Sequence, residues 1–192
     1  MVQNTGKIIV ITAPSGAGKT TIARRILSES DKITFSVSAT TRKPRKHEIH
    51  GKDYYFLTED EFQKNIDEGK FLEWEEFYGG IRYGTLRSVI ENHLNNGYFV
   101  LFDVDVKGAV NLKNIYGNRC LSLFIQPPSF ETLESRLKGR GSENKESLRV
   151  RLERARMELT MASHFDHVVL NDQFEVAYGE VKRIVQAFID NP

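Results

Sequence analysis

The residues most able to do chemistry stand together near the N-terminus: Ala13-Pro-Ser-Gly-Ala-Gly-Lys-Thr20, directly after the apolar run Lys7-Ile-Ile-Val-Ile-Thr12. Gly16 and Gly18 can take backbone angles closed to residues with a Cβ, so successive N–H groups can turn inward on phosphate oxygens. Lys19 has the reach to touch the β- and γ-phosphates of a nucleotide, and the Thr20 hydroxyl can ligand Mg²⁺. The segment Thr21-Ile-Ala-Arg-Arg-Ile-Leu-Ser28 is apolar at 22, 23, 26 and 27. A helix there would bury one stripe and turn its positive end to the anion. Strand, glycine loop and helix in this order read as a P-loop, so Ala13, Pro14, Ser15, Gly16, Ala17, Gly18, Lys19, Thr20 and Thr21 are expected to bind ATP. A glycine-rich turn that binds nothing is the competing reading; the spacing, the Lys-Thr pair and the flanking periodicity all oppose it. Ala13 stands where the commonest form of the motif has glycine, at a strand end that suits a small residue with negative φ.

Two other groups invite a chemical reading. Arg42 and Arg45 are three apart on a segment stiffened by Pro44. Two guanidinium forks so placed suit a single phosphate, with the Tyr54 and Tyr83 hydroxyls to help. The alternative is a solvated basic turn beside core tyrosines. Asp103 ends the apolar run Phe99-Val-Leu-Phe102; at a sheet edge beside the P-loop it would organise Mg²⁺ directly or through water, unless it is a buried structural aspartate.

Such residues need a scaffold, and 192 residues with 28% charged side chains suit one soluble globular domain. A net charge of +1 gives no general affinity for nucleic acid or an acidic membrane. The single cysteine, Cys120, excludes an intrachain disulfide and suits a reducing cytoplasm, and Ile8-Ile-Val-Ile11 is too short for a membrane span or a signal core. Neither His47/His50 nor His164/His167 is completed into a metal set by clustered carboxylates or cysteines. Strand-like segments at 7–13, 33–37, 98–104, 120–126 and 167–171 alternate with helical patterns, which implies a parallel sheet covered by helices. Thr85 to Asn96 and about 174–190 carry helical spacing. Two insertions interrupt the alternation. The first, about Ser36 to Gly84, contains a short helix announced by the capping-box pattern Thr58-Glu-Asp-Glu61 and ended at Gly69. The second follows Pro127-Pro128 as two helical stretches broken at Gly139-Arg-Gly141, a pattern that predicts a mobile tip. Both are candidates for lids.

The chain resembles the guanylate kinase family over almost its whole length. The resemblance is carried by the P-loop, Ser36-Val-Ser-Ala-Thr-Thr-Arg-Lys-Pro-Arg45, Gly51-Lys-Asp-Tyr-Tyr-Phe56, Phe71-Leu-Glu-Trp74, Tyr83-Gly-Thr85, Asp103-Val-Asp105, Gly139-Arg-Gly141 and Asn171-Asp172. It implies an α/β P-loop kinase fold: a five-stranded parallel core (1–35, 85–126 and 158–192), an inserted nucleotide-monophosphate-binding lobe (36–84) and a helical lid (127–157). It implies that Glu73 reads guanine, since a carboxylate can accept the paired N1–H and N2–H hydrogens that adenine does not offer. Ser38, Thr85 and Asp105 would complete the base pocket, and Arg42, Arg45, Tyr54, Tyr83 and Asp103 the rest of the GMP site. Arg136, Arg140 and Arg151 would surround the transferring phosphoryl group, with Lys19 and Arg45, and Asn171 would serve the adenine side. Arg149, Arg154 and Arg156 are expected to face solvent. The segment Glu75 to Arg82 is about one residue longer than the family's usual spacing, and His47 stands where the family usually has glycine.

The function so implied is transfer of a phosphoryl group from ATP to GMP or dGMP with Mg²⁺, serving GTP and dGTP supply and GMP recycling, with no obligatory protein partner. Two other readings keep the same motifs: a non-catalytic phosphopeptide-binding module, which usually lacks an intact P-loop, and a same-fold kinase for another small phosphorylated acceptor.

Overall fold

The computed structural model describes residues 6–77, 79–138 and 145–191. Strand β1 (Ile8–Thr12) is buried at every position, which is why it reads as a continuous apolar run and not as an alternation: helices cover both faces. It pairs in parallel with β7 (Phe99–Asp103) on one side and β8 (Cys120–Gln126) on the other. With β2 (Ile33–Phe35) and β9 (His167–Leu170) these make a five-stranded sheet of order β2-β7-β1-β8-β9. All five strand segments expected from the sequence are present. Odd residues of β1, Ile9 and Ile11, pack with α1 (Lys19–Ser28), α5 (Phe130–Lys138) and α7 (Phe174–Asp190). Ile8 and Val10 pack on the other face against α3 (Arg87–Asn95) and α4 (Val106–Tyr116). The helix α4 is one that the sequence reading did not anticipate; Gly108 in its first turn weakens the local helical signal, while the Asp105 side chain caps it by accepting from Gly108 N at 2.8 Å.

The first insertion folds around its own sheet, of order β4-β3-β6-β5, from β3 (Ala39–Thr40), β4 (Tyr55–Phe56), β5 (Phe71–Glu76) and β6 (Arg82–Leu86). The expected helix is α2 (Glu59–Asp67), with the full capping box: Thr58 Oγ1 accepts from Glu61 N, and Glu61 accepts from Thr58 N. Phe62 and Phe71 stack at 4.4 Å between centroids and, with Ala39, form a separate small core. Thr85 lies inside β6, so helix α3 starts two residues later than its expected start, and the boundary drawn between 84 and 85 cuts a strand. The longer segment is absorbed in the turn of the β5–β6 hairpin, where Phe77 N donates to Ile81 O and Gly79 and Gly80 take φ of 82° and 75°. The hairpin pairs Glu75 with Tyr83, and Arg82 points away to Glu76 and Gln63. Tyr78 lies outside the described residues. No non-glycine residue among those described has positive φ, so the turn at His47 does not need glycine.

The second insertion supplies α5 and α6 (Lys145–Thr160); the Gly139-Arg-Gly141 break between them, with Arg140, is outside the described residues. No helix among those described is long and apolar enough to cross a membrane. Cys120 is buried in the core, and burial pushes its thiol pKa up to about 12, so it is chemically inert.

Phe62→Ala should destabilise the small lobe by about 3–5 kcal/mol, the usual effect of emptying a buried aromatic site. Urea unfolding followed by Trp74, the single tryptophan, measures this from the same sheet; an unchanged midpoint would deny the lobe its own core.

Candidate active site

The glycine loop is shaped from below and from the side. Gly16 and Gly18 have φ of 92° and 95°. Gly18 is required twice over, because a Cβ there would lie 2.4 Å from Asn171 Nδ2. That amide is buried and donates to Ala17 O at 2.7 Å, so Asn171 braces the back of the loop. Arg136 donates to the Asn171 carbonyl at 3.2 Å. At the front, Lys19 Nζ sits between Asp103 Oδ1 at 2.6 Å and Val104 O at 2.8 Å. Thr20 Oγ1 donates to Asp103 Oδ2 at 3.0 Å. The parallel register Ile11↔Asp103 brings these groups to the same end of the sheet.

A cavity of about 490 Å³ opens over the loop. It is lined by Ala13, Pro14, Ser15, Gly16, Gly18, Lys19, Thr20 and Thr21 from the loop and helix start, and by Val150, Arg151, Arg154 and Glu158 from α6. Of the expected loop residues, only Ala17 is fully enclosed behind it. A second cavity of about 540 Å³ lies against the small sheet and gathers Ser38, Tyr54, Glu73, Tyr83, Asp103 and Asp105. Phe77 and Asp105 border both cavities, so the two spaces meet at that pair.

Inside the second cavity, Glu73 is held by Thr85, whose buried hydroxyl donates to Oε1 at 2.6 Å. Burial raises the Glu73 pKa above the ordinary carboxylate value; the Thr85 bond opposes this and Asp105 adds to it. Thr85 thus acts on the cavity through Glu73. Tyr54 and Tyr83 meet edge to face, 5.9 Å between centroids. Arg42 lies over Tyr54 at 5.3 Å and gives both ends of its fork to Glu48, at 2.8 and 2.9 Å. Glu48 also accepts from Arg45 N at 2.7 Å, and the Arg42 fork, with that backbone bond, lowers its pKa to about 2. A carboxylate here receives the same kind of planar fork that a phosphate would.

Several members of this arrangement were not singled out in the sequence. Glu48 stands in a basic run six residues after Arg42, a weak local signal for a bidentate partner. Phe77 reaches both cavities only because the hairpin turns there. Arg154 was expected in solvent; its Nη2 donates to Asp105 Oδ2 at 2.8 Å and its Nε to Glu158 at 2.9 Å. Arg154 is exposed, as expected, but α6 runs along the edge of the cavity and its guanidinium also reaches Asp105 from there. Arg149 keeps to the surface with Glu153, and Arg156 lies over Phe130 at 4.4 Å.

A glycine loop with left-handed Gly16 and Gly18, an arginine fork on Glu48 and a largely buried Glu73 are the features on which comparison with known proteins bears. The family model described as guanylate kinase matches residues 5–188. The chain belongs to the guanylate kinase family. It is 49% identical over 188 residues to the guanylate kinase of Chlorobium chlorochromatii, covering 98% of each chain. It is 45% identical to that of Bacteroides thetaiotaomicron, over 98% of this chain and 92% of the relative. The crystal structure of guanylate kinase from Anaplasma phagocytophilum superposes with a TM-score of 0.74 at 30% identity, covering 98% of this chain and 88% of that one. The α/β P-loop kinase architecture expected from the motifs is therefore the fold of this family member.

Gly18→Ala should leave a folded protein whose affinity for an ATP analogue falls at least about tenfold, ~1.4 kcal/mol, because the new methyl meets the Asn171 amide and the backbone must leave its left-handed angle. Calorimetric titration reads this; unchanged affinity would mean that the loop geometry does not hold the phosphates.

Proposed function

We propose that this protein transfers the γ-phosphoryl group of ATP to GMP, and to dGMP, giving ADP and GDP. The observation that carries the proposal is the meeting of two cavities, one over the glycine loop and one around Glu73, with Asp105 and Phe77 at their junction. Donor and acceptor phosphates can then approach in line, the arrangement that phosphoryl transfer needs.

The residues divide the work. Loop N–H groups and the start of α1 cradle the donor phosphates. Lys19, already charged and oriented by Asp103, follows the charge that moves onto the γ-phosphoryl oxygens. Arg42 and Arg45 take the acceptor phosphate, exchanging Glu48 oxygens for phosphate oxygens, with Tyr54 and Tyr83 beside them. Arg136, Arg140 and Arg151, from the second insertion, supply positive charge around the transferring group, and Asn171 fixes the loop from behind. Ser38, Glu73, Thr85 and Asp105 form the base pocket, in which the Glu73 carboxylate accepts the N1–H and N2–H of guanine.

Mg²⁺ fits the oxygen pair of Thr20 Oγ1 and the Asp103 carboxylate, 3.0 Å apart. Mg²⁺ is commonly held by one or two protein oxygens, with water and substrate phosphates completing its shell. When bound, it neutralises charge across the phosphate oxygens. The two insertions act as closing parts, a monophosphate-binding lobe (36–84) and a lid (127–157) over the remaining core, because cations from both must reach the same phosphates. A reducing cytoplasm suits the single buried thiol.

Lys19→Met should fold normally and lose phosphoryl transfer, each tenfold loss corresponding to about 1.4 kcal/mol of transition-state stabilisation. The assay is ADP release across a panel of monophosphate acceptors with ATP and Mg²⁺. Near-native turnover of the variant would remove the glycine loop from the mechanism, and preference for an acceptor other than GMP would redirect the assignment.

Glu73→Gln should lose at least about 1.5–3 kcal/mol of GMP binding, since one acceptor becomes a donor and the charge-assisted bonds are lost; ATP affinity should hold. AMP should be rejected by the native protein by roughly 10⁴-fold. Because burial raises the folded pKa of Glu73 above its unfolded value, ionisation opposes folding at neutral pH, and that opposition fades as pH falls through the raised pKa. Glu73→Gln should therefore melt no lower than the native protein at pH 7. The acid limb of kcat/KM for GMP should lie above the ordinary carboxylate range. Native-like use of GMP by Glu73→Gln would overturn the base-pocket assignment.

A further inference from the structure

Arg154 belongs to the second insertion, yet its partner lies in the acceptor cavity. Its guanidinium is divided between two carboxylates. Nε donates to Glu158 Oε1 at 2.9 Å, one turn along the same helix, so α6 itself fixes the side-chain rotamer. Nη2 crosses to Asp105 Oδ2 at 2.8 Å. The other Asp105 oxygen, Oδ1, accepts from Gly108 N at 2.8 Å. Asp105 is thus held at both oxygens by two different elements: the start of α4 and the lid helix.

Asp105 also has like-charged company. Glu75 and Glu73, both on β5, feel its negative charge, which raises the pKa of each. A Cβ built at Gly108 would be 3.2 Å from Asp105 Oδ1 and 3.7 Å from Glu73 Oε2, so the two acids converge on one small volume. Three carboxylates gathered beside a cavity repel one another unless a cation intervenes. Arg154 bonds directly into this group through Asp105; Lys107 and Lys19 act through space, on Glu75 and on Glu158.

We infer that Arg154 is a positioning residue for the acceptor: carried on α6 and fixed by Glu158, it holds Asp105 in the base pocket against Glu73 and Glu75, and so ties the placement of the lid helix to GMP binding. The inference rests on the proposed function, because it assigns GMP to the cavity that Asp105 lines. Arg154 itself borders the cavity over the glycine loop, and reaches the second only through Asp105; a general role at the first would weaken ATP and GMP alike. The two roles are therefore separable by which substrate suffers.

The experiment measures KM for each substrate, and calorimetric affinity for GMP and for an ATP analogue, in the native protein and in Arg154→Ala, Arg154→Lys and Glu158→Gln. Arg154→Ala should weaken GMP about tenfold, the scale of losing a charge-assisted partner, with ATP changed less than about twofold. Arg154→Lys, which keeps one donor and the charge, should recover most of the loss, and Glu158→Gln, which frees the rotamer, should show a smaller loss of the same selectivity. In an Asp105→Asn background, Arg154→Ala should add little, since the partner charge is already gone. Equal weakening of both substrates, no weakening of GMP, or full additivity with Asp105→Asn would overturn the inference. If Arg154→Ala does not fold, Arg154→Lys and Glu158→Gln decide it by the same selectivity. Native protein that turns over GMP while the variants behave as native overturns this inference alone; native protein that fails to phosphorylate GMP overturns the proposed function.

Discussion

The ion pair between Lys19 and Asp103, 2.6 Å long, joins the glycine loop to the neighbouring strand and fixes the front of the loop. Lys19 starts α1 and Asp103 ends β7, so the contact exists only because β1 and β7 run parallel with Ile11 opposite Asp103. Thr20 and Val104 complete the knot, through the other Asp103 oxygen and through the Val104 carbonyl that also accepts from Thr12. A flexible lysine is thereby given one position, so little remains to be ordered when a nucleotide arrives. The buried strands beneath it make the arrangement rigid, and interiors packed to this density do not deform gradually.

The same logic recurs around the site. Two of the cations expected to meet phosphate already hold an acid, Lys19 with Asp103 and Arg42 with Glu48, and beside the second cavity Arg154 holds Asp105. These pairs orient the cations at modest net gain, since partly exposed ion pairs contribute little stability. Glu73 is the opposite case. It is largely buried and accepts from the Thr85 hydroxyl, and its raised pKa marks a carboxylate whose ionised form its surroundings disfavour. Sites of this kind trade stability for selectivity.

The small sheet is built to a different standard from the main one. Its own core is three buried residues, Ala39, Phe62 and Phe71, with partly buried neighbours, whereas the main sheet has a packed cluster on each face. Fewer buried contacts mean a lower local opening free energy. That suits the proposed role of an element that admits and releases a nucleotide, and it places Tyr54, Tyr83, Arg42 and Glu73 on the more yielding part of the molecule.

Much of this was legible in the residues themselves. Gly16, Gly18, Lys19 and Thr20 declare their geometry locally, because only glycine tolerates those angles and the lysine follows at fixed spacing. The strands of the main sheet show as apolar runs, and Thr58 with Glu61 announces a helix through its own cap. Other features have no local signature. The strands of the small sheet are short and mixed in polarity, so Ala39–Thr40 and Tyr55–Phe56 become strands only by pairing with each other and with Tyr83 and Gly84. Thr85 reads as a helix start until its partner Glu73 is found across the hairpin. Arg154 sits among arginines at ordinary surface spacing, and nothing in that spacing distinguishes it from Arg149. Periodicity specifies which face of a helix is polar, but what that face meets depends on long-range packing. The sequence by itself determined the phosphate loop and the parallel core, whose constraints act between near neighbours. Only the tertiary structure decided that Lys19 would meet Asp103 and Arg154 would meet Asp105, because those partners lie 84 and 49 positions apart and are brought together by the packing of the sheet and α6.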